Sequence, residues 1–235
     1  MRGFFTFAGV NSKDFGVYIN GSQTFGAPER DVDLQSVPGR NGDLVLDNGR
    51  LKNIQHSYEA FIVRDIRANL AGLRDFLTSC VGYQRLEDTY HPDEFYLASY
   101  AAELSPDMAA TLREGAFTLT FNRKPQRFLK DGELVRAFTA GGRIRNPTRQ
   151  TAAPLIRVYG TGTLGVGNET VNILSNPGYI DLDCDSEDAH MGAVNCNGLI
   201  ELPSDDFPRL PPGETGLVLG SGITRVEITP RWWRA

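Results

Sequence analysis

Glycine and proline interrupt this chain so regularly that long helices have little room to form. The 235 residues include 25 glycines and 13 prolines, which separate short runs rich in valine, isoleucine, threonine, phenylalanine and tyrosine. Apolar and polar residues alternate in several of these runs, as in Phe5-Thr6-Phe7 and in residues 54–63 and 115–122. An alternation of period two places the apolar side chains on one face of a β-strand. The sequence therefore predicts a mainly β protein.

One segment has the spacing of a helix instead. Ile66, Leu70, Leu73 and Leu77 lie three or four residues apart, so they share one face of a helix. Gly82 follows at a place where a left-handed residue commonly ends a helix. We expect one helix over residues 65–81, packed through its leucines on the neighbouring sheet.

The sequence indicates two domains that meet near Arg123-Lys124-Pro125-Gln126. Residues 1–125 contain the predicted helix, whereas residues 129–235 contain only short strand patterns. A set of short strands without a helix closes most readily as a two-layer β-sandwich. The predicted fold is an N-terminal β domain with one α-helix, followed by a C-terminal β-sandwich.

The charge and the cysteine content exclude several classes of protein. The net charge is −5, whereas proteins that hold nucleic acid by its phosphates usually carry a basic excess. No run approaches the roughly 18–20 apolar residues of a membrane-spanning helix, and the first residues predict a strand rather than a signal peptide. Three cysteines, Cys80, Cys184 and Cys196, are too few for a disulfide framework, and we expect them to be reduced.

Two segments resemble known ligand-binding motifs in their residue letters, but the residues around or within them do not meet the requirements of those motifs. Gly160, Gly162 and Gly165 have the spacing of a dinucleotide-binding loop, which needs a helix directly after it. The chain continues here as a turn and a strand, so we expect a hairpin. Residues 181–192 resemble a calcium-binding loop, but Ser186 and Gly192 stand where that loop needs glycine and glutamate. We expect a strand with one solvated face.

No other group of residues predicts a metal or cofactor site. Cys184, His190 and Cys196 lack the closely spaced ligand pairs of zinc sites. The chain has no G-x-S-x-G elbow, and Cys80 lies near the end of the predicted helix, where the dipole opposes a thiolate. We expect buried thiols, no metal, no cofactor and no catalytic residue.

Residues 37–50 predict an exposed hairpin. Glycine-containing turn signals occur at residues 38–39, 41–42 and 48–49. Because a hairpin of this kind can reach a neighbouring molecule, its charged and turn residues are candidates for an inter-subunit interface. These candidates are Arg40, Asn41, Asp43 and Arg50.

Six segments, in order along the chain, carry a family resemblance. They are residues 5–19 (FTFAGVNSKDFGVYI), 36–50 (SVPGRNGDLVLDNGR), 84–95 (QRLEDTYHPDEF), 124–133 (KPQRFLKDGE), 210–214 (LPPGE) and 227–232 (EITPRW). They resemble the distal tail protein (Dit) family of siphovirus-type phages, and residues 84–95 are the most diagnostic. The resemblance spans nearly the whole chain.

The resemblance implies a structural hub and requires no catalysis. Distal tail proteins join an N-terminal β domain with one helix to a galectin-like β-sandwich, and six copies form a ring at the end of the tail tube. The implied partners are copies of the chain itself, the tail tube protein, the tail-tip or fibre hub protein, and receptor-binding or baseplate proteins, with the tape measure protein a further candidate. DNA would pass through the lumen without specific binding. The protein would be made in the host cytoplasm and reside in the virion.

The residues leave two other functions open. Residues 129–235 could form a carbohydrate-binding adhesin with Trp232 and Trp233 as a stacking platform, although the preceding alternation favours a final strand that packs them. An enzyme acting on cell-wall polymer would need two carboxylates in a cleft. The carboxylates available for such a pair, which we expect instead on turns around a hairpin, are Glu87, Asp88, Asp93 and Glu94.

Overall fold

A computed structural model describes residues 3–20, 26–102, 104 and 116–235. In this part of the chain the protein is mainly β, with one α-helix and three short 3₁₀ turns, which confirms the predicted fold class. The chain divides into two compact units. The first is Met1–Arg127 with Ala235, and the second is Phe128–Arg234.

The first unit is built on an antiparallel sheet. Its strands are β1 (Phe5–Phe7), β2 (Val10–Asn11), β3 (Val17–Ile19), β4 (Arg30–Gln35), β5 (Leu44–Leu51), β6 (Ile54–Ile62), β7 (Gln84–Asp88), β8 (Glu94–Ser99) and β9 (Ala116–Arg123). Seven of them lie in the order β2-β1-β7-β8-β9-β6-β3, and β4 pairs with β5 in a separate two-stranded sheet. Gly115, which the sequence placed at the start of β9, lies outside the described residues.

The helix, α1 (Ile66–Ser79), buries Leu70, Leu73 and Leu77 as the sequence predicted. It ends before the predicted residue 81, because the chain turns to an extended conformation at Cys80. The Ser79 hydroxyl donates to the Phe76 carbonyl at 2.7 Å. This bond satisfies one of the helix-end carbonyls that a glycine cap would otherwise serve. Gly82 is left-handed, with φ +72°, but it lies beyond the end of the helix.

Aromatic rings fill the core between this helix and its sheet. Phe5 stacks on Tyr58 with ring centroids 5.8 Å apart, and Phe7 meets Phe121 at 4.9 Å. All four residues are buried. They come from β1, β6 and β9, so alternation in three separate strands builds one apolar layer.

The second unit is a β-sandwich, as the sequence predicted. The strands of its two sheets are β11 (Arg136–Phe138), β12 (Gly142–Asn146), β13 (Leu155–Gly160), β14 (Gly162–Val166), β15 (Glu169–Ile173), β16 (Ile180–Asp183), β17 (Asp188–Met191), β18 (Val194–Asn195), β19 (Ile200–Glu201), β20 (Gly213–Leu219) and β21 (Ile223–Thr229). Outside these two sheets, β10 (Arg127–Leu129) pairs with β22 (Trp233–Arg234). One sheet has the order β11-β21-β13-β16-β17-β18 and the other β12-β20-β14-β15-β19. Residues of both sheets share one buried cluster.

The glycines of the apparent dinucleotide motif allow backbone segments to approach closely. A Cβ on Gly160 would lie 2.1 Å from the Gly222 carbonyl oxygen, and one on Gly162 would lie 2.5 Å from that of Ser221. Gly162 opens β14, which pairs with β15. The hairpin prediction is confirmed, and sterics account for the glycines.

The two C-terminal tryptophans hold the end of the chain. Trp232 is fully buried, and its backbone passes so close to Gly132 that a Cβ there would lie 2.4 Å from the Trp232 nitrogen. The Trp233 indole donates to the Thr151 carbonyl at 3.0 Å. Trp232 is therefore packed in the core and Trp233 is held by a hydrogen bond, as the alternation predicted. The two indoles do not form an exposed stacking platform.

The prediction of a solvated face on β16 was wrong. Asp181 is buried and accepts two hydrogen bonds from Arg157, at 2.7 Å and 2.8 Å. Asp183 accepts two from Arg231, at 2.6 Å and 3.0 Å, and these bonds lower the pKa of the Asp183 carboxyl. Because arginine binds a carboxylate with two parallel donors, the acidic residues of the strand are covered by side chains rather than by water.

Candidate functional site: an exposed β-hairpin

The predicted hairpin exists but is larger than residues 37–50. Its strands are β4 and β5, and residues 36–43 form the connection between them. Leu34 lies opposite Val45, and Gln35 opposite Leu44. We call Arg30–Leu51 the arm. Among the described residues, β4 and β5 pair only with each other. Sequence reasoning missed β4, although Asp31-Val32-Asp33-Leu34-Gln35 alternates strictly between polar and apolar residues.

The connection depends on glycine. Gly39 and Gly42 have φ of +78° and +80°, a region that other residues adopt at a cost. Arg40, Asn41 and Asp43 are exposed in this connection. The turn chemistry that the sequence indicated is therefore present, and the role of these residues in an interface stays a prediction.

Both faces of the arm carry exposed apolar side chains. Leu34 and Val45 are 64% and 58% exposed, and they share one face as cross-strand partners. Leu44 and Leu46 are exposed on the opposite face. A two-stranded hairpin is marginally stable alone in water, and exposed apolar patches mark interaction surfaces. The arm is therefore the candidate interaction surface of the first unit.

Ion pairs hold the base of the arm in register. Arg50, an interface candidate on β5, contacts Asp31 at 2.5 Å, and Arg30 contacts Asp47 at 2.8 Å. The hydrogen bond from Arg50 lowers the pKa of the Asp31 carboxyl. Exposed pairs contribute little stability, so their effect is to align the strands. Arg50 thus lies at the base and the other three candidates at the tip.

Sequence reasoning selected the polar residues of the arm and missed its apolar ones. Leu34, Leu44, Val45 and Leu46 are the residues whose exposure most clearly marks the site. A signal was available, because residues 44–46 are consecutive apolar residues beside a glycine-rich turn. Three consecutive apolar residues in a strand must point to both faces, so one face cannot bury them all.

The candidate carboxylates lie around the β7–β8 hairpin. Asp88 is buried and accepts hydrogen bonds from the Tyr58 hydroxyl at 2.8 Å and from the backbone nitrogens of Tyr90 and His91 at 2.8 Å and 2.9 Å. It therefore fixes the turn. Glu87 pairs with Arg85.

The other two carboxylates of the set have different surroundings. Glu94 is buried and lies 3.5 Å from Arg127, whereas Asp93 is exposed. The set is therefore spread over two strands and a turn, and Asp88 is the member whose hydrogen bonds hold the turn.

His56 lies beside this turn and is deeply buried. Its ring meets that of Tyr58 edge to face, with centroids 4.5 Å apart. Burial, with a smaller contribution from the charge of Arg123, lowers the pKa of His56 to about 4. The imidazole is therefore neutral near pH 7, as expected for a core residue.

The cysteines are free thiols. Cys184 and Cys196 are buried, as predicted, and burial raises the pKa of Cys184 to about 12. Within residues 3–20, 26–102, 104 and 116–235, no group of three His, Cys, Asp or Glu side chains is placed to hold a metal ion. No helix in the same ranges is long and apolar enough to cross a bilayer.

These features define a class: a β protein of two units that displays an apolar hairpin. No protein-family model and no curated protein matches the chain. Among solved structures, the chain is similar to the Dit protein (gp 19.1) of phage SPP1, described as a paradigm of the hub adsorption apparatus in Gram-positive infecting phages. The TM-score is 0.76, the identity is 14%, and the match covers 99% of both chains. The resemblance to distal tail proteins is thereby confirmed at the level of the fold.

Proposed function

We propose that this protein is a structural hub at the distal end of a phage tail. The observation that carries the proposal is the fold match over 99% of both chains to a hub adsorption protein. The division of the chain at residues 127–128 and the helix α1 in the first unit support this proposal. The role is structural and requires no catalysis.

The arm supplies a contact suited to a ring. A closed ring of identical subunits uses head-to-tail contacts, so each subunit presents two different patches. A neighbouring copy can pack against both faces of the arm, because one face exposes Leu34 and Val45 and the other exposes Leu44 and Leu46. In this proposal Arg40, Asn41, Asp43 and Arg50 flank that contact and set its orientation.

The proposed assembly is a homo-hexameric ring in the virion. It joins the tail tube protein on one side to tail-tip and receptor-binding or baseplate proteins on the other, and DNA passes through its lumen. With a net charge of −5 per chain, six copies carry about −30, which disfavours capture of phosphates during passage.

Labelling of intact particles tests the proposal. An antibody against the purified protein, imaged by negative-stain electron microscopy, is expected to bind at the distal end of the tail. An antibody against the capsid protein serves as the positional control. Label on the capsid, or tails that contain no copy of this chain by mass spectrometry, would contradict a hub role.

A further inference from the structure

Three Asn-Gly pairs lie within the described residues, and their surroundings differ. They are Asn41-Gly42 at the tip of the arm, Asn48-Gly49 in β5, and Asn197-Gly198 in the second unit. The glycine of a fourth pair, Asn20-Gly21, lies outside the described residues.

An asparagine that precedes glycine can modify itself. The glycine nitrogen attacks the carbonyl carbon of the asparagine side chain, a carbon–nitrogen bond forms, and ammonia leaves with the proton of that nitrogen. Water then opens the succinimide ring and gives aspartate or isoaspartate. One water is consumed and one ammonia is released, with no oxidant or reductant. Glycine favours the attack because it has no side chain beside the nitrogen and it reaches conformations that other residues avoid.

The pair at the tip of the arm is free to react. Asn41 and Gly42 are both exposed, and a Cβ on Gly42 would meet no atom within 4 Å. Among the described residues, neither the Asn41 side chain nor the Gly42 nitrogen has a hydrogen-bond partner. The nitrogen can therefore reach the side-chain carbonyl without first breaking a bond, and the turn has room for the ring.

Hydrogen bonds restrain the pair in β5. The Gly49 nitrogen donates to Asp47 Oδ1 at 2.8 Å, and Asn48 Nδ2 donates to Asp33 Oδ2 at 3.3 Å. Because a carboxylate is a strong acceptor, the Gly49 nitrogen keeps its proton and stays turned towards Asp47. The attacking atom and its target are therefore both held by other groups.

The pair in the second unit is anchored through its amide. The Ala189 nitrogen donates to Asn197 Oδ1 at 2.7 Å, and Asn197 Nδ2 donates to Asp188 Oδ1 at 2.7 Å. Although Asn197 and Gly198 are exposed, the glycine nitrogen reaches the carbonyl carbon only after both bonds break. Exposure alone therefore does not decide which pair reacts.

We propose that Asn41 is a self-modification site, which deamidates in the folded chain while Asn48 and Asn197 are protected. The product places a new carboxylate between Arg40 and Asp43, so a tip with balanced charge becomes negative. Isoaspartate also lengthens the backbone of the turn by one carbon. The reaction needs only the exposed tip and does not rest on the proposed ring. In that ring, a chain that aged before assembly would bring the extra charge to the inter-subunit contact.

Peptide mapping by mass spectrometry of the whole chain tests the proposal. Folded protein and protein unfolded in urea are incubated at neutral pH, and the aspartate plus isoaspartate formed at each asparagine is followed over time. In the unfolded chain the three pairs lose their surroundings, so we expect similar rates. In the folded chain we expect Asn41 to react at least about tenfold faster than Asn48 or Asn197, because hydrogen bonds protect those two.

Three variants separate the causes. Gly42→Ala places a methyl group beside the attacking nitrogen and should slow the reaction at Asn41 by about tenfold. Gly39→Ala is the matched control, because Gly39 lies in the same connection with φ +78° and open space around it. It should leave the rate at Asn41 unchanged. Asp47→Ala removes the acceptor of the nitrogen that follows Asn48 and should accelerate the reaction there several-fold.

Reaction at Asn48 or Asn197 as fast as at Asn41 in the folded chain would overturn the proposal. An Asn41 that stays intact in the folded chain while it reacts in the unfolded chain would also overturn it. An unchanged rate at Asn48 in Asp47→Ala would show that the hydrogen bond to Asp47 does not protect it, which contradicts the proposal. Failure of the particle-labelling experiment would leave these rates unaffected, so the two proposals fail separately.

Discussion

Two hairpins of this protein differ in how their apolar residues are distributed and in what surrounds them. The β14–β15 hairpin buries Leu164, Val166 and Val171 on one face, and its other face carries a hydrogen bond between Thr163 and Asn172. The arm exposes apolar residues on both faces. When the apolar residues lie on one face only, as in the β14–β15 hairpin, the rest of the same unit can bury that face. Two-sided apolarity leaves a hairpin whose apolar side chains stay exposed in the isolated chain.

The largest difference in unfolding free energy between the two hairpins is expected when their glycines are replaced. In Gly162→Ala, at the start of β14, the new Cβ would lie 2.5 Å from the Ser221 carbonyl oxygen at a residue with φ +131°, so we expect a loss on the order of 4 kcal/mol in unfolding free energy. Gly49 in the arm also has positive φ but open space around it, so Gly49→Ala should cost only about 1 kcal/mol. Denaturant unfolding measures both. Equal losses would contradict the comparison.

Replacement of leucine by alanine tests the same comparison between a buried hairpin and an exposed one. Leu164→Ala leaves a cavity in the sandwich core, and we expect a loss of about 3 kcal/mol. Leu34→Ala removes a side chain that is 64% exposed, so the unfolding free energy of the monomer should change by no more than about 0.5 kcal/mol. A large loss at Leu34, measured below the concentration of assembly, would mean that the arm is packed within its own chain.

Acid should weaken the sheet unit through His56, and the arm contains no histidine. The unfolded state takes up a proton as the pH falls below 6.5, whereas folded His56 does so only near pH 4. The unfolding free energy therefore falls as the pH falls from 6.5 to 4, by about 2.5 kcal/mol from this residue.

Replacement of His56 isolates that contribution. His56→Phe keeps an aromatic ring beside Tyr58 and should flatten the decline of stability between pH 6.5 and 4, as measured by unfolding at several pH values. His91→Phe is the control at a nearby histidine. A decline as steep in His56→Phe as in the wild type would show that other groups cause the acid sensitivity.

Most of the larger elements were predicted from the sequence. The signals were period-two alternation for strands, the three-to-four-residue spacing of leucines for the helix, and glycine-containing turns for the hairpins. β12 was missed because Ile144 is its one buried apolar residue, so its sequence shows no apolar alternation. The strand forms through its pairing with β20. The ion pairs of Asp181 and Asp183 were missed for a related reason. Their partners Arg157 and Arg231 lie 24 and 48 residues away, and sequence spacing carries no signal for such pairs.

The smallest expected effect on stability accompanies the largest expected effect on assembly. The double variant Leu34→Lys with Val45→Glu places a pair of opposite charges on one exposed face of the arm, and the unfolding free energy of the monomer should stay within about 0.5 kcal/mol of the wild type. Val218→Glu, at a residue that is 66% exposed in the sandwich unit, is the matched control.

Native mass spectrometry of these three proteins over a range of concentrations tests the central claim most directly. We predict that the wild type and Val218→Glu form the same closed assembly of several copies, whereas the arm variant stays monomeric. A wild type that is monomeric at every concentration, or an arm variant that assembles as readily as the wild type, would contradict the account.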